Sequence, residues 1–271
     1  VVDETAPPGL DTSTAHPARR YNYWLGGKDN FAADRESGDM IERAHPTVRL
    51  SVRENRSFLQ RAVRFLAEEA RVDQFLDIGT GLPTADNTHE IAQRRVPHAR
   101  VVYVDNDPMV GAHARALLTS SPEGVTRYLE ADLRDPRGIL GHPQLKEALD
   151  LDRPVALVLI AVLHFIADHE QARDVVRELL SALPSGSYLA ASNFTLDYSD
   201  RETAAVARQM IAQGRSDAHP RTRAEFAEYF VGLGLIGPGI VPVSEWLPEV
   251  PAHQRPPADQ VAIYGAVGRK P

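Results

Sequence analysis

Three carboxylates in the first half of the chain stand where an open α/β sheet could use them together. Asp77 closes the apolar run QFLD and is followed by Gly79-Thr80-Gly81. Asp105 closes a second run, RVVYVD, and Asp132 follows a third, in Glu130-Ala131-Asp132-Leu133. A glycine turn after the first strand of such a sheet lets a ligand approach the backbone at the strand's carboxyl end. A carboxylate after the second strand can accept both hydroxyl protons of a ribose. A lone Gly-x-Gly would mean little, but an acidic group at three successive strand ends describes a crevice for a nucleoside.

That nucleoside is either half of a nicotinamide dinucleotide or part of S-adenosylmethionine. Position 84, where the third glycine of a dinucleotide fingerprint stands, holds Thr84, and Asp77 occupies a place that is usually apolar in such sites. S-adenosylmethionine has no pyrophosphate, so it needs neither the third glycine nor an anion-binding helix start. Its α-amino group offers Asp77 a partner. The departures favour S-adenosylmethionine. His164 directly follows the longest apolar run, residues 155–163, at the mouth of the same crevice. A histidine there could take the proton of a hydroxyl or amine acceptor, or simply hydrogen-bond and shape the pocket. The remaining histidines, among them His45, His89, His98, His113 and His169, show no metal-ligand spacing, and no metal site is expected.

The elements that must hold these residues alternate. Strands are predicted over residues 74–78, 100–104, 126–130, 155–161, 187–192, 240–242 and 262–267. Helices are predicted over 88–95, 108–118, 144–149, 170–183 and 223–233. The fold class is therefore α/β, a doubly wound and mainly parallel sheet of Rossmann-like type, with a late antiparallel strand allowed at its edge. Upstream, helices are predicted over 34–44 and 47–70, divided by His45-Pro46. In the longer one Phe58, Leu59, Ala62, Val63, Phe65 and Leu66 share one arc, while Arg49, Arg53, Arg56 and Arg64 share the opposite arc and read mostly as a solvated face. The domain reading is a flexible arm over 1–18, a helical lid over 19–70 and the sheet domain over 71–271. Within the last, residues 195–222 form an insertion over the site, with a helical stretch at 203–213.

Composition closes off several classes. The chain has 271 residues and no cysteine, which excludes disulfides, thiolate metal sites and cysteine nucleophiles. Its net charge of −7 is the wrong sign for a dedicated nucleic-acid or anionic-membrane binder. No run is long enough to span a bilayer and no basic-apolar leader opens the sequence, so a soluble, cytoplasmic protein is expected. A homodimer remains open.

The segments DIGTG, VVYVDNDP, ADLRDP and VLHFIAD resemble the successive motifs of class I S-adenosylmethionine-dependent methyltransferases. YNYWLGGKDNFAAD, VRENRSFLQRAVRFL, QFLDIGTGLPT and YVDNDPMV resemble, more closely, one mainly actinobacterial family formerly described as a domain of unknown function. The resemblance spans roughly residues 19–270. It implies that Gly79, Thr80 and Gly81 surround the methionine moiety, that Asp105 holds the ribose, and that Asn106 lies beside the adenine. Asp132 and the Leu133 backbone would meet the adenine edge, and Ala161 and Val162 would pass beneath the transferable methyl. By analogy Arg56 would hold the cofactor carboxylate, with Arg53 or Lys28 as substitutes. Tyr23, Lys28, Asp29 and Asn30 would close over the cofactor, unless they form a structural turn with Tyr21, Tyr23 and Trp24 as core.

The resulting expectation is a methyltransferase using S-adenosylmethionine, releasing S-adenosylhomocysteine, and acting on a small molecule at oxygen, nitrogen or carbon. The rival is a non-catalytic protein that binds either cofactor form and signals through its lid. A nicotinamide oxidoreductase is disfavoured by Thr84.

Overall fold

Proline at position 17 suits the start of a helix, because the N–H it lacks is one that a first turn cannot bond. The computed structural model describes residues 10–117 and 119–271. Helix α1 (Pro17–Trp24) is capped by His16, whose Nδ1 accepts the Ala18 N–H at 3.3 Å. It ends at Gly26, which takes φ 85°. The sequence located the break at Gly26-Gly27 but not the helix before it. The predicted arm therefore runs into α1, and its described end is anchored. Asp11 O accepts from Arg19 Nη1 at 3.1 Å, and Leu10 packs on the buried cluster of Phe31, Leu82, Met109 and Val110. The rest of that arm, residues 1–9, lies outside the described residues.

Helix α2 (Ala32–Ala44) begins where the fully buried Asp34 accepts the backbone N–H groups of Phe31 and His16, both at 2.8 Å. After His45-Pro46 comes α3 (Val48–Glu68), whose predicted apolar arc is the buried one: Phe58, Ala62, Val63 and Leu66 have no exposure. Its arginine arc is mixed. Arg49 bonds Glu42 and lies over the Tyr23 ring, Arg64 pairs with Glu249, Arg53 is exposed, but Arg56 turns toward the interior cavity.

From β1 (Gln74–Ile78) the chain alternates as predicted: α4 (Thr88–Arg95), β2 (Arg100–Asp105), α5 (Pro108–Leu117), β3 (Val125–Glu130). A short helix that the sequence did not predict, α6 (Pro136–Gly141), and the predicted one, α7 (Pro143–Ala148), precede β4 (Ala156–Ile160). Then follow α8 (His169–Ser181), β5 (Tyr188–Phe194), α9 (Arg201–Ala212) and α10 (Arg223–Glu228). The last is shorter than predicted, because Gly232 at φ 84° turns the chain into β6 (Gly234–Leu235). β7 (Val241–Pro242), α11 (Ala258–Val261) and β8 (Ile263–Arg269) complete it.

The strand order is β3-β2-β1-β4-β5-β8-β6, with β7 also paired to β8. β1 to β5 are parallel, and β8 is antiparallel to β5, β6 and β7. The late antiparallel strand is thus one place in from the edge. Alternate residues divide between two cores. Leu76, Val102, Leu157 and Leu189 face α6–α8 and α10, whereas Phe75, Val101, Val158 and Ala190 face α3, α4 and Trp246. Strand order reverses between β1 and β4, and the carboxyl ends on either side of such a reversal bound the ligand crevice of doubly wound sheets.

Candidate active site

A cavity of about 620 Å³ opens at those strand ends, roofed by α1, α2, α3 and the α9 region. One half is built from the acidic strand ends. Asp105, buried at the end of β2, accepts the Gly81 N–H on Oδ2 at 2.8 Å and the Asp107 N–H on Oδ1 at 3.0 Å. Each oxygen keeps capacity for a further donor, as a diol requires. Burial pushes its carboxyl above the ordinary value, against the pull of those two N–H groups. Gly79 and Gly81 take φ 75° and 66°, and a side chain at Gly79 would collide with Val162. The loop is therefore pressed onto the end of β4, as the close-approach reading of its glycines requires.

Asp77 shares the α3–α4 face of β1, and its Oδ2 accepts from Thr88 Oγ1 at 2.6 Å. Burial raises its carboxyl to about 6, opposed by the Thr88 hydroxyl and the Arg56 charge. Asp132 and Asn106 meet at the exposed rim, 3.4 Å apart, and Arg134 takes both Asp132 oxygens. Partial burial opposes ionisation of Asp132, but Arg134 outweighs it and holds the carboxyl low. The neighbouring Leu133 N–H has no hydrogen-bond partner among the described residues, which leaves it free for a ligand edge. Thr80, Ala161 and Val162 also line the cavity.

Ala161 adopts φ 54°, a strained conformation for a residue with a side chain. A buried chain of hydrogen bonds holds it. Ala161 N–H donates to Ser192 Oγ at 2.9 Å, and Ser192 Oγ donates to Asn55 Oδ1 at 2.7 Å. Asn55 Nδ2 donates to Tyr21 Oη, which donates to Val52 O, both at 3.0 Å. One network thus ties the β4 end to α3 and α1. Neither Asn55 nor Ser192 was a candidate from sequence, because a polar residue inside an apolar helix or strand carries no signal of its partner.

Arg56 lines the cavity and braces the loop after the glycines, with Nη2 donating to Ala85 O at 3.1 Å and Asp86 O at 2.9 Å. Its buried Nε has no hydrogen-bond partner among the described residues. The substitutes Arg53 and Lys28 are exposed and off the cavity. Tyr23 requires a correction. Its hydroxyl donates to Asp39 at 2.6 Å and its ring packs on Gly38 of α2, so it supports the helix rather than lining the cavity. Its neighbours Tyr21, Asn22 and Trp24 line it instead. The Lys28-Asp29-Asn30 segment forms the structural turn. Asn22 Oδ1 accepts the Asp29 N–H at 3.1 Å and Asn30 Nδ2 at 3.0 Å, while Lys28 faces solvent.

His164 lies on the short 3₁₀ turn after β4 and faces the cavity, but as a poor base. Burial lowers its imidazole to about 4, and the Phe194 N–H points at Nδ1 from 3.4 Å. A neutral ring whose Nδ1 accepts carries its proton on Nε2 and offers a donor there. Of the two roles expected from sequence, this geometry favours the hydrogen-bonded, pocket-shaping one over the general base. His45, set aside in the sequence as a scattered histidine, also lines the cavity, with Nε2 3.3 Å from Ser51 Oγ. Burial lowers its imidazole as well.

Two buried arginines of α1 complete the assembly. Arg19 is buried against Asp107, Nε to Oδ2 at 3.1 Å, tying α1 to the turn after β2. Arg20 is ion-paired with Asp217, in the loop after α9, and both residues line the cavity. Asp107 had one legible sign, its place just before Pro108, as a helix N-cap; the arginines had none. Among the described residues no three His, Cys, Asp or Glu side chains gather as a metal site, and no helix is long and apolar enough to cross a membrane.

The family model described as S-adenosyl methyltransferase matches residues 3–271. A crystal structure of a DUF574 family protein from Streptomyces avermitilis is 50% identical, with 96% of this chain and 99% of that one covered at a TM-score of 0.91. A candidate methyltransferase from Thermobifida fusca is 41% identical, with 97% and 98% covered at a TM-score of 0.89. An O-methyltransferase family protein from Burkholderia thailandensis, 17% identical at a TM-score of 0.50 over 82% of this chain and 60% of that one, shares the fold alone. No curated protein matches the chain.

Proposed function

The chain belongs to the S-adenosyl methyltransferase family, and from that premise we propose that its cavity binds S-adenosylmethionine and presents it to a small-molecule acceptor at oxygen, nitrogen or carbon. The observation that carries the reading is Asp105, whose two oxygens are fixed by Gly81 and Asp107 N–H groups yet keep free lone pairs. Asp105 would hold the ribose hydroxyls, the free Leu133 N–H the adenine edge, and Asp77 with Arg56 the amino and carboxylate ends of the methionine part. Asp132, its oxygens engaged by Arg134, would shape the rim beside Asn106. The donor set suits this cofactor, which brings an activated methyl group on a positively charged sulfur.

The chain's own part is alignment and exclusion of water. The Ala161–Ser192–Asn55–Tyr21 network fixes the floor under the reacting centre. The lid helix α1 and the 195–222 insertion cover it, joined by Arg20 and Asp217. Holding reactants aligned in a dry site can supply much of a rate enhancement without a protein base. The cavity continues past the acidic strand ends to Phe194 and Met210, which supports an enzyme with room for an acceptor over a binding protein alone.

Isothermal titration with S-adenosylhomocysteine and with NADH tests the cofactor half. Micromolar binding of the first and none of the second is expected, and the reverse defeats the reading. Release of S-adenosylhomocysteine on a panel of small molecules tests turnover.

A further inference from the structure

The half of the cavity away from the acidic strand ends has mainly apolar walls, with the hydroxyls of Ser51, Ser199, Thr203 and Ser216 among them. Trp24, Ile41, Val48, Phe165, Phe194 and Met210 line it. The charged side chains lining this half among the described residues, Arg20 and Asp217, are paired with each other and cancel. Two imidazoles remain, and both touch Phe194. His164 Nδ1 receives its N–H, and the His45 ring centroid lies 6.4 Å from that of Phe194.

Their hydrogen-bonding senses differ. His164, accepting on Nδ1, carries its proton on Nε2. For His45 the sense follows from Ser51, whose single hydroxyl proton has carbonyl acceptors at Thr47 and Gln260, each at 3.2 Å. With the Ser51 proton on either carbonyl, its oxygen accepts from His45; the tautomer assigned on these partners carries the His45 proton on Nε2 and leaves a lone pair on Nδ1. That nitrogen has no other partner among the described residues. Between its two imidazoles the chamber thus offers one donor, His164 Nε2–H, and one acceptor, His45 Nδ1, within mainly apolar walls. A hydroxyl is the small group that both gives and takes a hydrogen bond. A carboxylate or ether only takes, and an ammonium only gives.

We propose that the acceptor is an uncharged, mainly apolar ring compound bearing a hydroxyl group, which donates to His45 Nδ1 and accepts from His164 Nε2–H. This rests on the cofactor reading above. A carboxylate in the same place would set a negative charge against the His45 lone pair with no free cation to compensate, and an unpaired buried charge is costly.

The test begins with S-adenosylhomocysteine titrated into the full chain, which judges the cofactor reading by itself. Into the saturated protein are then titrated 2-naphthol, its methyl ether 2-methoxynaphthalene, and 2-naphthoate at pH 7.5. The proposal expects 2-naphthol to bind about tenfold or more tighter than either, as one well-placed hydrogen bond in an apolar site allows. In His45→Phe the preference over the ether disappears while S-adenosylhomocysteine affinity stays within about twofold, which also reports that the variant is folded. His45→Gln, which keeps an acceptor, retains part of the preference. Equal or tighter binding of 2-naphthoate, an unchanged preference in His45→Phe, or no probe binding to a protein that does hold S-adenosylhomocysteine overturns the proposal.

Discussion

Arg20 and Asp217, 197 residues apart in sequence, form an ion pair across the cavity, joining α1 to the loop after α9. The arginine side is buried and the carboxylate is 45% exposed. The pair is therefore asymmetric: removing the carboxylate strands a buried cation, while removing the cation returns a carboxylate to water. Asp217→Ala should destabilise the chain by about 1–3 kcal/mol in urea titrations, and Arg20→Met by less. Both should speed proteolysis within residues 195–222. Equal resistance to protease in all three proteins would show that this contact does not hold residues 195–222 down.

Asp77 makes a prediction of opposite sign. Its carboxyl ionises at the ordinary 3.8 in the unfolded chain and at about 6 in the folded one, so the native state holds the extra proton between those values. Stability then falls as pH rises through that window, and the loss persists above it. Asp77→Asn removes the penalty, so at pH 7 the variant should be more stable, by up to about 3 kcal/mol. At pH 3.5 the two proteins should agree. The same variant should bind S-adenosylhomocysteine more weakly, because the amino group loses its counter-charge. Melting curves at the two pH values and one titration check both parts.

His164 carries the reverse dependence. Its imidazole titrates near 4 folded, against an ordinary 6.5, so the unfolded chain binds the proton first on acidification. Its contribution is intact above pH 6.5 and is lost as pH falls toward 4, by about 3 kcal/mol in full. In His164→Asn that part of the acid destabilisation should vanish. Turnover of the parent should show no inflection near pH 6.5 that His164→Asn removes; such an inflection would restore the histidine as a base.

Asp105→Ala should weaken S-adenosylhomocysteine by one to two decades, since charge-assisted hydrogen bonds are worth about 1.5–3 kcal/mol. It also frees the Gly81 and Asp107 N–H groups, so some loosening of the glycine loop is expected beside the lost ribose contact. Asp105→Asn keeps acceptor capacity and should fall between. Unchanged affinity in a folded Asp105→Ala protein, judged by circular dichroism, would remove the residue from the site.

Gly79→Ala tests the close approach of the loop to β4. The added methyl meets Val162 and is placed on a backbone at φ 75°. The expected cost is about 1–3 kcal/mol, with cofactor affinity reduced. Val162→Ala in the same chain should recover part of the stability, because it vacates the colliding atoms.

The sequence by itself determined the alternation of strands and helices, the buried arc of α3 and the row of acidic strand ends. Those features are local or periodic: a glycine at positive φ, a 100° repeat and an apolar run each leave a mark within a few residues. Helix α1 escaped notice because the buried positions among its eight residues are two arginines and an asparagine, the arginines held by Asp107, Asp34 and Asp217 elsewhere and Asn22 by the Asp29-Asn30 turn. Tertiary structure also decided the histidines. His164 stands at the strand end where a base would be sought, yet burial and the Phe194 N–H leave it a donor, while His45, which nothing in its neighbourhood recommended, was brought into the cavity by the turn between α2 and α3. Whether an imidazole gives or takes a proton depends on solvent exclusion and on partners from distant segments, and neither quantity is written in the order of the residues.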